Sequence, residues 1–385
     1  MEDSVSFIFN LVRFGSSALF LVLHLFAMIG IIVEVRRGNR ARVSASRALA
    51  PKVSVVIPAH DEIARLGPLL ESLRAQVYPS FDVVFVDDRS TDGTTELLEA
   101  FAASWPEGRV RLLRLTANPG PNFKQYGLAR GIEASDGELV LLTDADCEMA
   151  GDWISAMAAQ LADEKVGLAV GPVFKRIEGE RFYDLYQAFD HAVRYTYLAG
   201  TTGLGAPCGA FGNNMIVRRT ALDRIGGYEA VPYSVTEDAA LVAVVRLKSG
   251  LSIRAATSKS SCVVTQGEKG WKELTTQCLR WNNGGLFAPD PVTRIGFRLL
   301  IGFISLGVVV LPLIPFFPSL WPISVSVYLA MTMNTIAALA LAGKNLPPPG
   351  LRYVPQTLFT PAYNAFLTLL GILRIQVRWK GEKLG

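Results

Sequence analysis

Histidine and cysteine are scarce in this chain, three and four among 385 residues. Cys147, Cys208, Cys262 and Cys278 show none of the close spacings of a zinc site, and His60 and His191 have no paired ligand, so neither histidine is read as metal-binding. The cysteines are expected to be small buried residues rather than a disulfide framework or nucleophiles. A basic stripe is missing too. The net charge is only +4, and the Lys and Arg residues gather beside apolar runs, which excludes nucleic acid as an expected partner. No small-residue cleavage site follows the first apolar region, so that region is expected to persist as an anchor.

What the chain has is apolar sequence, half of its residues, unevenly spread. One stretch runs from Val5 to Val33, interrupted by Arg13 and His24; three more lie near Leu299–Phe317, Trp321–Ala342 and Val354–Ile372. Each meets or approaches the roughly 20 residues a bilayer span needs. The expected organisation is an N-terminal transmembrane anchor over residues 1–35, a soluble-looking domain over 51–290, and a membrane region over 297–375 with two to three transmembrane or re-entrant helices. Arg36, Arg37, Arg40, Arg42 and Arg47 follow the first run, and Arg294 and Arg298 flank the second. This places the domain in the cytoplasm, on a bacterial-type inner membrane. The tail, with Arg374, Arg378, Lys380 and Lys383, also reads as cytoplasmic. Three full spans after the domain would put it outside, and Pro355 and Pro361 single out the last segment as re-entrant or interfacial.

Within the domain, Val53–Ile57, Phe81–Val86, Arg111–Leu115 and Glu138–Thr143 predict strands, alternating with helices over 61–76, 94–101 and 124–134. That rhythm implies an α/β fold around a mainly parallel sheet. Ligands of such sheets bind beyond the carboxyl ends of the strands. His60-Asp61-Glu62, Asp87-Asp88 and Asp144-Ala145-Asp146 each follow a strand, so three acidic clusters are expected on one edge. Residues two apart on an extended segment point the same way, so Asp144 and Asp146 can converge on one target. Paired carboxylates suit a hard cation such as Mg or Mn, which commonly brings a phosphate.

Five motifs carry a resemblance. Val55-Val-Ile-Pro-Ala-His-Asp-Glu62, Val86-Asp-Asp-Arg-Ser-Thr-Asp-Gly-Thr94, Thr143-Asp-Ala-Asp146, Gly226-Gly-Tyr228 with Thr236-Glu-Asp238, and Gln277-Cys-Leu-Arg-Trp281 occur in that order across residues 51–285. Together they resemble the family 2 glycosyltransferases of GT-A fold, a Rossmann-like α/β class with a mainly parallel sheet. Motif order and the single N-terminal span are similar to ceramide glucosyltransferases and bacterial hopanoid or carotenoid glucosyltransferases.

The resemblance implies roles. Glu62 and Asp88 would hold the nucleotide, with Asp87 supporting the loop; Asp144 would meet the ribose or sugar, and Asp146 a divalent metal on the diphosphate. Asp238 would be the general base, and Gln277, Arg280 and Trp281 would close over diphosphate and acceptor. Lys124 stands where relatives often carry a Gly-Lys pair, and is read either as a diphosphate contact or as an exposed lysine at a helix start. Asn118-Pro-Gly-Pro-Asn122 departs from the usual pattern there. Read locally, Asp238 could instead cap a helix, and Arg280-Trp281 could be a membrane-interface pair. Gly209, Gly212, Asn213 and Asn214 read as a loop near the sugar. The aromatic segment 181–189 reads as amphipathic, either a surface or acceptor-entrance helix or a buried face.

The implied reaction is inverting, metal-dependent transfer of one hexose, glucose from UDP-glucose, to a hydroxyl of a membrane lipid such as a carotenoid, hopanoid or sphingolipid. A processive polysaccharide synthase, transfer to a polyprenyl phosphate, and a non-catalytic nucleotide-sugar sensor are the alternatives. Four or fewer spans leave little material for a polymer channel, and a sensor needs no base.

Overall fold

The computed structural model describes residues 2–45, 50–348, 350–375, 378–379 and 382–383; of the basic flanking residues, Arg47 and Lys380 lie outside these ranges. Helix α1, Glu2–Ala45, runs ten residues past the expected end of the anchor. Then come β1 (Val53–Ala59), α2 (Leu66–Arg74), β2 (Phe81–Asp88), α3 (Thr94–Ala103), β3 (Val110–Leu115), α4 (Phe123–Glu133) and β4 (Leu139–Leu142). The four expected strands are all present, each flanked by helices whose Leu, Ile and Phe residues are buried against them. The first helix is shorter than its apolar period suggests, because residues 60–65 form the loop at the end of β1.

After β4 the chain is less regular: β5 (Cys147–Met149), α5 (Trp153–Ala158), β6 (Val166–Val170), β7 (Val173–Lys175), the long α6 (Phe182–Gly203), β8 (Met215–Arg218), α7 (Arg219–Ile225), α8 (Glu237–Lys248), β9 (Ser252–Ala255) and β10 (Val263–Thr265). Seven strands make the main sheet in the order β3-β2-β1-β4-β8-β6-β9; a second sheet is β5-β10-β7. All pairings in the main sheet are parallel except those of β8 with β4 and β6. Strand β1 continues through Pro58, whose lack of an N–H should stop a central strand. The pairing explains it: β4 accompanies β1 only as far as Val56, so Pro58 lies where one side of the strand is already an edge.

The chain closes with α9 (Trp271–Leu286), α10 (Pro291–Val310), α11 (Trp321–Ala342) and α12 (Val354–Ile372). Among the described residues, three helical stretches are long and apolar enough to cross a membrane: Asn10–Ala41, Pro291–Leu313 and Pro318–Ala342. Helix α12 is not one of them.

The long apolar helix α1 is not an appendage. Helices α1 and α6 cross so closely that a Cβ on Gly30 would lie 2.0 Å from the Gly200 carbonyl oxygen, and one on Gly203 would lie 1.9 Å from that of Gly30. Only small residues permit such an approach. Ile31 joins the core of the catalytic sheet. Glu34, fully buried, accepts hydrogen bonds from Arg254 Nε at 2.9 Å and from the Ala255 N–H at 3.0 Å, at the end of β9. Helix α6 also settles the reading of segment 181–189. Tyr183, Tyr186 and Phe189 are buried, so the segment is a packed face, with Phe182 partly exposed at its start.

Candidate active site

The three acidic clusters stand at the carboxyl ends of β1, β2 and β4, on one edge of the sheet. Two non-glycine residues adopt positive φ there, Asp61 (52°) and Arg89 (62°). Such backbone strain persists only where neighbours enforce it. Here the Asp61 carboxylate accepts the Thr91 N–H at 2.7 Å, and the Asp61 N–H donates to Ser90 Oγ at 3.0 Å. Asp87 is buried and turned into its own loop, accepting from Thr95 Oγ1 at 2.5 Å and from the Ser90 N–H at 3.2 Å. Asp88 receives Arg89 Nε at 2.8 Å and Asn118 Nδ2 at 2.7 Å. His60 meets the Asp88 carbonyl oxygen at 2.6 Å. Glu62 lies beside Arg65, 4.0 Å away, and its N–H donates to Thr94 Oγ1.

The atypical Asn118–Asn122 stretch has a structural purpose. Asn118 links it to Asp88, while Asn122 caps α4 by accepting the Gln125 N–H at 3.2 Å and donates to the Ser234 carbonyl at 3.0 Å. That last bond ties α4 to the loop leading into Thr236-Glu-Asp238. Lys124, one position into α4, is not an exposed lysine. Its Nζ lies 2.7 Å from Asp144 Oδ1 and 3.5 Å from Glu237 Oε1. Burial works against its charge, but the carboxylates of Asp144 and Glu237 outweigh that and raise its pKa.

Asp146 lies at the start of β5 and accepts Thr265 Oγ1 from β10 at 3.0 Å. Among the described residues there is no group of three or more His, Cys, Asp or Glu that could hold a metal by itself. The Asp144 and Asp146 carboxylates nevertheless fit a hard cation, since Mg is characteristically held by one or two carboxylates with substrate phosphates completing its shell.

Asp238 is in the first turn of α8, not at its cap, which is Thr236. Its carboxylate accepts the Ala239 N–H at 2.7 Å and the Gly212 N–H at 2.9 Å. A Cβ on Gly212 would come within 3.2 Å of Asp238 Cβ, so the loop can approach this closely because residue 212 is glycine. Burial and the neighbouring Glu237 charge push the Asp238 carboxyl up to about 7, against the opposing pull of the Ala239 N–H, Lys124 and Arg280. The Asp144–Lys124–Glu237 chain and Asp238 thus share one cluster, with Arg280 of α9 facing it. Of the loop residues expected near the sugar, Asn214 is instead buried, donating to the Pro172 and Ser261 carbonyls and accepting from Trp153 Nε1.

Helix α9 carries the last motif. Gln277 Nε2 donates to Glu268 Oε1 at 2.7 Å. The Trp281 ring lies edge-on to His191 at 5.1 Å and under the Arg194 guanidinium at 5.3 Å, both from α6. Arg194 is fixed by buried Asp190 at 2.6 Å. A Cβ on Gly284 would fall 2.4 Å from Thr236 Cγ2, so α9 rests directly on the loop that holds Asp238. Sequence reasoning missed Glu237, Asn118, Glu268 and the Asp190–Arg194 pair. Glu237 was within reach, as the middle residue of a motif already read.

The glycosyl transferase family 21 model matches residues 19–385, nearly the whole chain. The chain belongs to that family. This glycosyltransferase shares its fold with a mannosyltransferase from Pyrobaculum calidifontis in complex with GDP-Man and Mn2+. The two agree with a TM-score of 0.53 at 19% identity, over 92% of this chain and 99% of that one. The GT-A fold expected from the motifs is therefore present. The family 21 chain is also 29% identical over 192 residues to a beta-monoglucosyldiacylglycerol synthase of Nostoc sp., covering 49% of this chain and 40% of that protein. It is 32% identical over 102 residues to a dolichyl-phosphate beta-glucosyltransferase of Dictyostelium discoideum, covering 24% and 30%. It thus spans less than half the length of these two curated relatives.

Proposed function

We propose that this family 21 enzyme transfers a single glucose, with inversion, from UDP-glucose to a hydroxyl of a lipid embedded in the membrane, its catalytic domain facing the cytoplasm. The observation that carries the reading is Asp238, a half-buried carboxylate with a pKa near 7, oriented by two backbone N–H groups and next to the Asp144–Lys124 pair. A base poised near the working pH suits removal of a proton from a hydroxyl. A phosphate acceptor is already ionised and needs no base, which favours a hydroxyl over a polyprenyl phosphate. The names of the Nostoc and Dictyostelium relatives support glucose and a lipid acceptor.

In this reaction the acceptor oxygen attacks the anomeric carbon while the bond to the diphosphate breaks. The bonding pair leaves with the nucleoside diphosphate, and the hydroxyl proton passes to the Asp238 carboxylate. One displacement inverts the anomeric centre. Lys124 and Arg280 supply positive charge beside the departing group, Glu62 and Asp88 hold the nucleotide, and Gln277 and Trp281 form the acceptor wall. When bound through Asp146 and Asp144, Mg or Mn would offset charge on the diphosphate.

Membranes containing the enzyme, supplied with Mn2+ and labelled UDP-glucose, UDP-galactose or GDP-mannose in parallel, test the reading. Label from UDP-glucose is expected in an organic-extractable, mild-acid-stable product. Label retained in alcohol-insoluble polymer, or in an acid-labile lipid phosphate, would overturn it.

A further inference from the structure

Helix α12 runs beside α9 along its whole length and in the same direction. Phe359 lies 5.7 Å from Trp271, the Tyr363 hydroxyl is 3.0 Å from Thr275 Oγ1, and a Cβ on Gly371 would meet Asn283 and Leu286. Because α9 carries the Gln277–Trp281 motif, α12 lies directly beside the helix of the active site. Its inner face mixes polar and apolar side chains: Gln356, Thr357, Thr360 and Thr368 are buried beside Pro361, Tyr363 and Leu367, and Thr357 bonds Thr335 of α11 at 2.9 Å. Its outer face is apolar. Val354, Leu358, Phe366, Leu369 and Ile372 are each 48–66% exposed, spaced along one stripe. At one end of α12, Phe182 and Trp271, both partly exposed, pack around Phe359 as an aromatic group.

We infer that α12 is a membrane-surface helix: its outer stripe rests in the headgroup–acyl boundary of a phospholipid bilayer and lays α9 against that surface. Three features select lipid as the occupant. The stripe continues the apolar exteriors of α10 and α11, the aromatic group matches the belt that sits at membrane interfaces, and Arg352 and Arg374 bracket the helix where anionic headgroups attract cations. The arrangement also resolves the conflict over the tail. With α10 crossing outward and α11 returning, a non-crossing α12 leaves residue 375 on the same side as the catalytic domain.

The test uses the full chain carrying Cys208→Ser, reconstituted in vesicles of phosphatidylcholine and phosphatidylglycerol. Nitroxide labels are attached singly after Val354→Cys, Leu358→Cys, Phe366→Cys or Leu369→Cys. Oxygen and nickel-chelate accessibility are expected to place all four at one shallow depth, within about 5 Å, one helical pitch. Depths that pass through the bilayer centre, or four water-exposed labels, would overturn the inference. A second measurement compares Arg374→Cys with Glu164→Cys for labelling by an impermeant maleimide. Labelling from the same side is expected, and from opposite sides overturns it. Neither readout requires turnover, so the inference and the proposed reaction fail separately.

Discussion

On the donor side of the cleft, Asp61, Asp87 and Asp88 take their hydrogen bonds from the adjoining loops and the start of α3: Thr91, Ser90, Thr95, Arg89 and Asn118. On the acceptor side, Asp238 depends on elements far apart in the chain. Gly212 reaches it from the loop before β8, Lys124 from α4 and Arg280 from α9. The donor-side bonds therefore span at most 30 residues, while Lys124 comes to Asp238 from more than a hundred residues away. The acceptor side exists only once the sheet, α4 and α9 have docked together, and it is there that a carboxylate has an unusual pKa. The edge proposed to hold the nucleotide and the edge proposed for proton transfer are thus built differently within one cleft.

The largest expected contrast comes from Asp238→Asn. Turnover should fall about 10²- to 10⁴-fold, the usual contribution of a general base, while UDP-glucose affinity measured by calorimetry stays within a few-fold. Turnover within tenfold of the parent would remove the base assignment. Next, kcat/KM should rise with pH and reach half its plateau near the Asp238 pKa of about 7, because only the carboxylate accepts a proton. Lys124→Met withdraws one of the charges that holds this value down, so the acid limb should move to higher pH; a limb that does not move would show that Lys124 acts only on the donor. The same pKa has a stability consequence with the opposite sense. A carboxyl whose pKa is raised on folding binds more protons folded than unfolded, so its contribution declines as pH rises from about 4 toward about 7. Thermal unfolding should accordingly find Asp238→Asn more stable than the parent at pH 8, with the difference vanishing near pH 4.

Gly284→Val drives a side chain into Thr236 and should lift α9 from the Asp238 loop. We expect kcat to drop at least tenfold with donor KM unchanged; a change in donor KM instead would break the division between the two edges. The smallest effect is on the donor side. Asn118→Ala removes a hydrogen bond to a buried carboxylate, a loss of about 1.5 kcal/mol. Donor KM should rise roughly tenfold, with kcat little altered.

The donor side is also the half that could be read from the sequence. Its strands are β-branched runs such as Val53–Ile57, its acidic residues follow them directly, and local pattern suffices. The acceptor side was visible only as motifs. Strands β5, β7 and β10 have three residues each, too short for alternation to register. Lys124 read equally well as a surface lysine because its partners lie 20 and 113 positions away. The raised pKa of Asp238 follows from burial, which no spacing encodes. Glu34 reads as part of a basic flank beside Arg36 and Arg37, yet it is fully buried against β9.

That glutamate bears on how the enzyme is made. Helix α1 leaves the ribosome before the catalytic domain, and Arg254 and the Ala255 N–H, which satisfy Glu34, are synthesised some 220 residues later. Gly30 likewise waits for Gly200 and Gly203. Helix α1 is thus complete before the residues of the catalytic domain that close on it. Trimming it away to obtain a soluble fragment would expose the core at Ile31 and leave Arg254 without its carboxylate, so the domain should be harvested together with its first membrane helix.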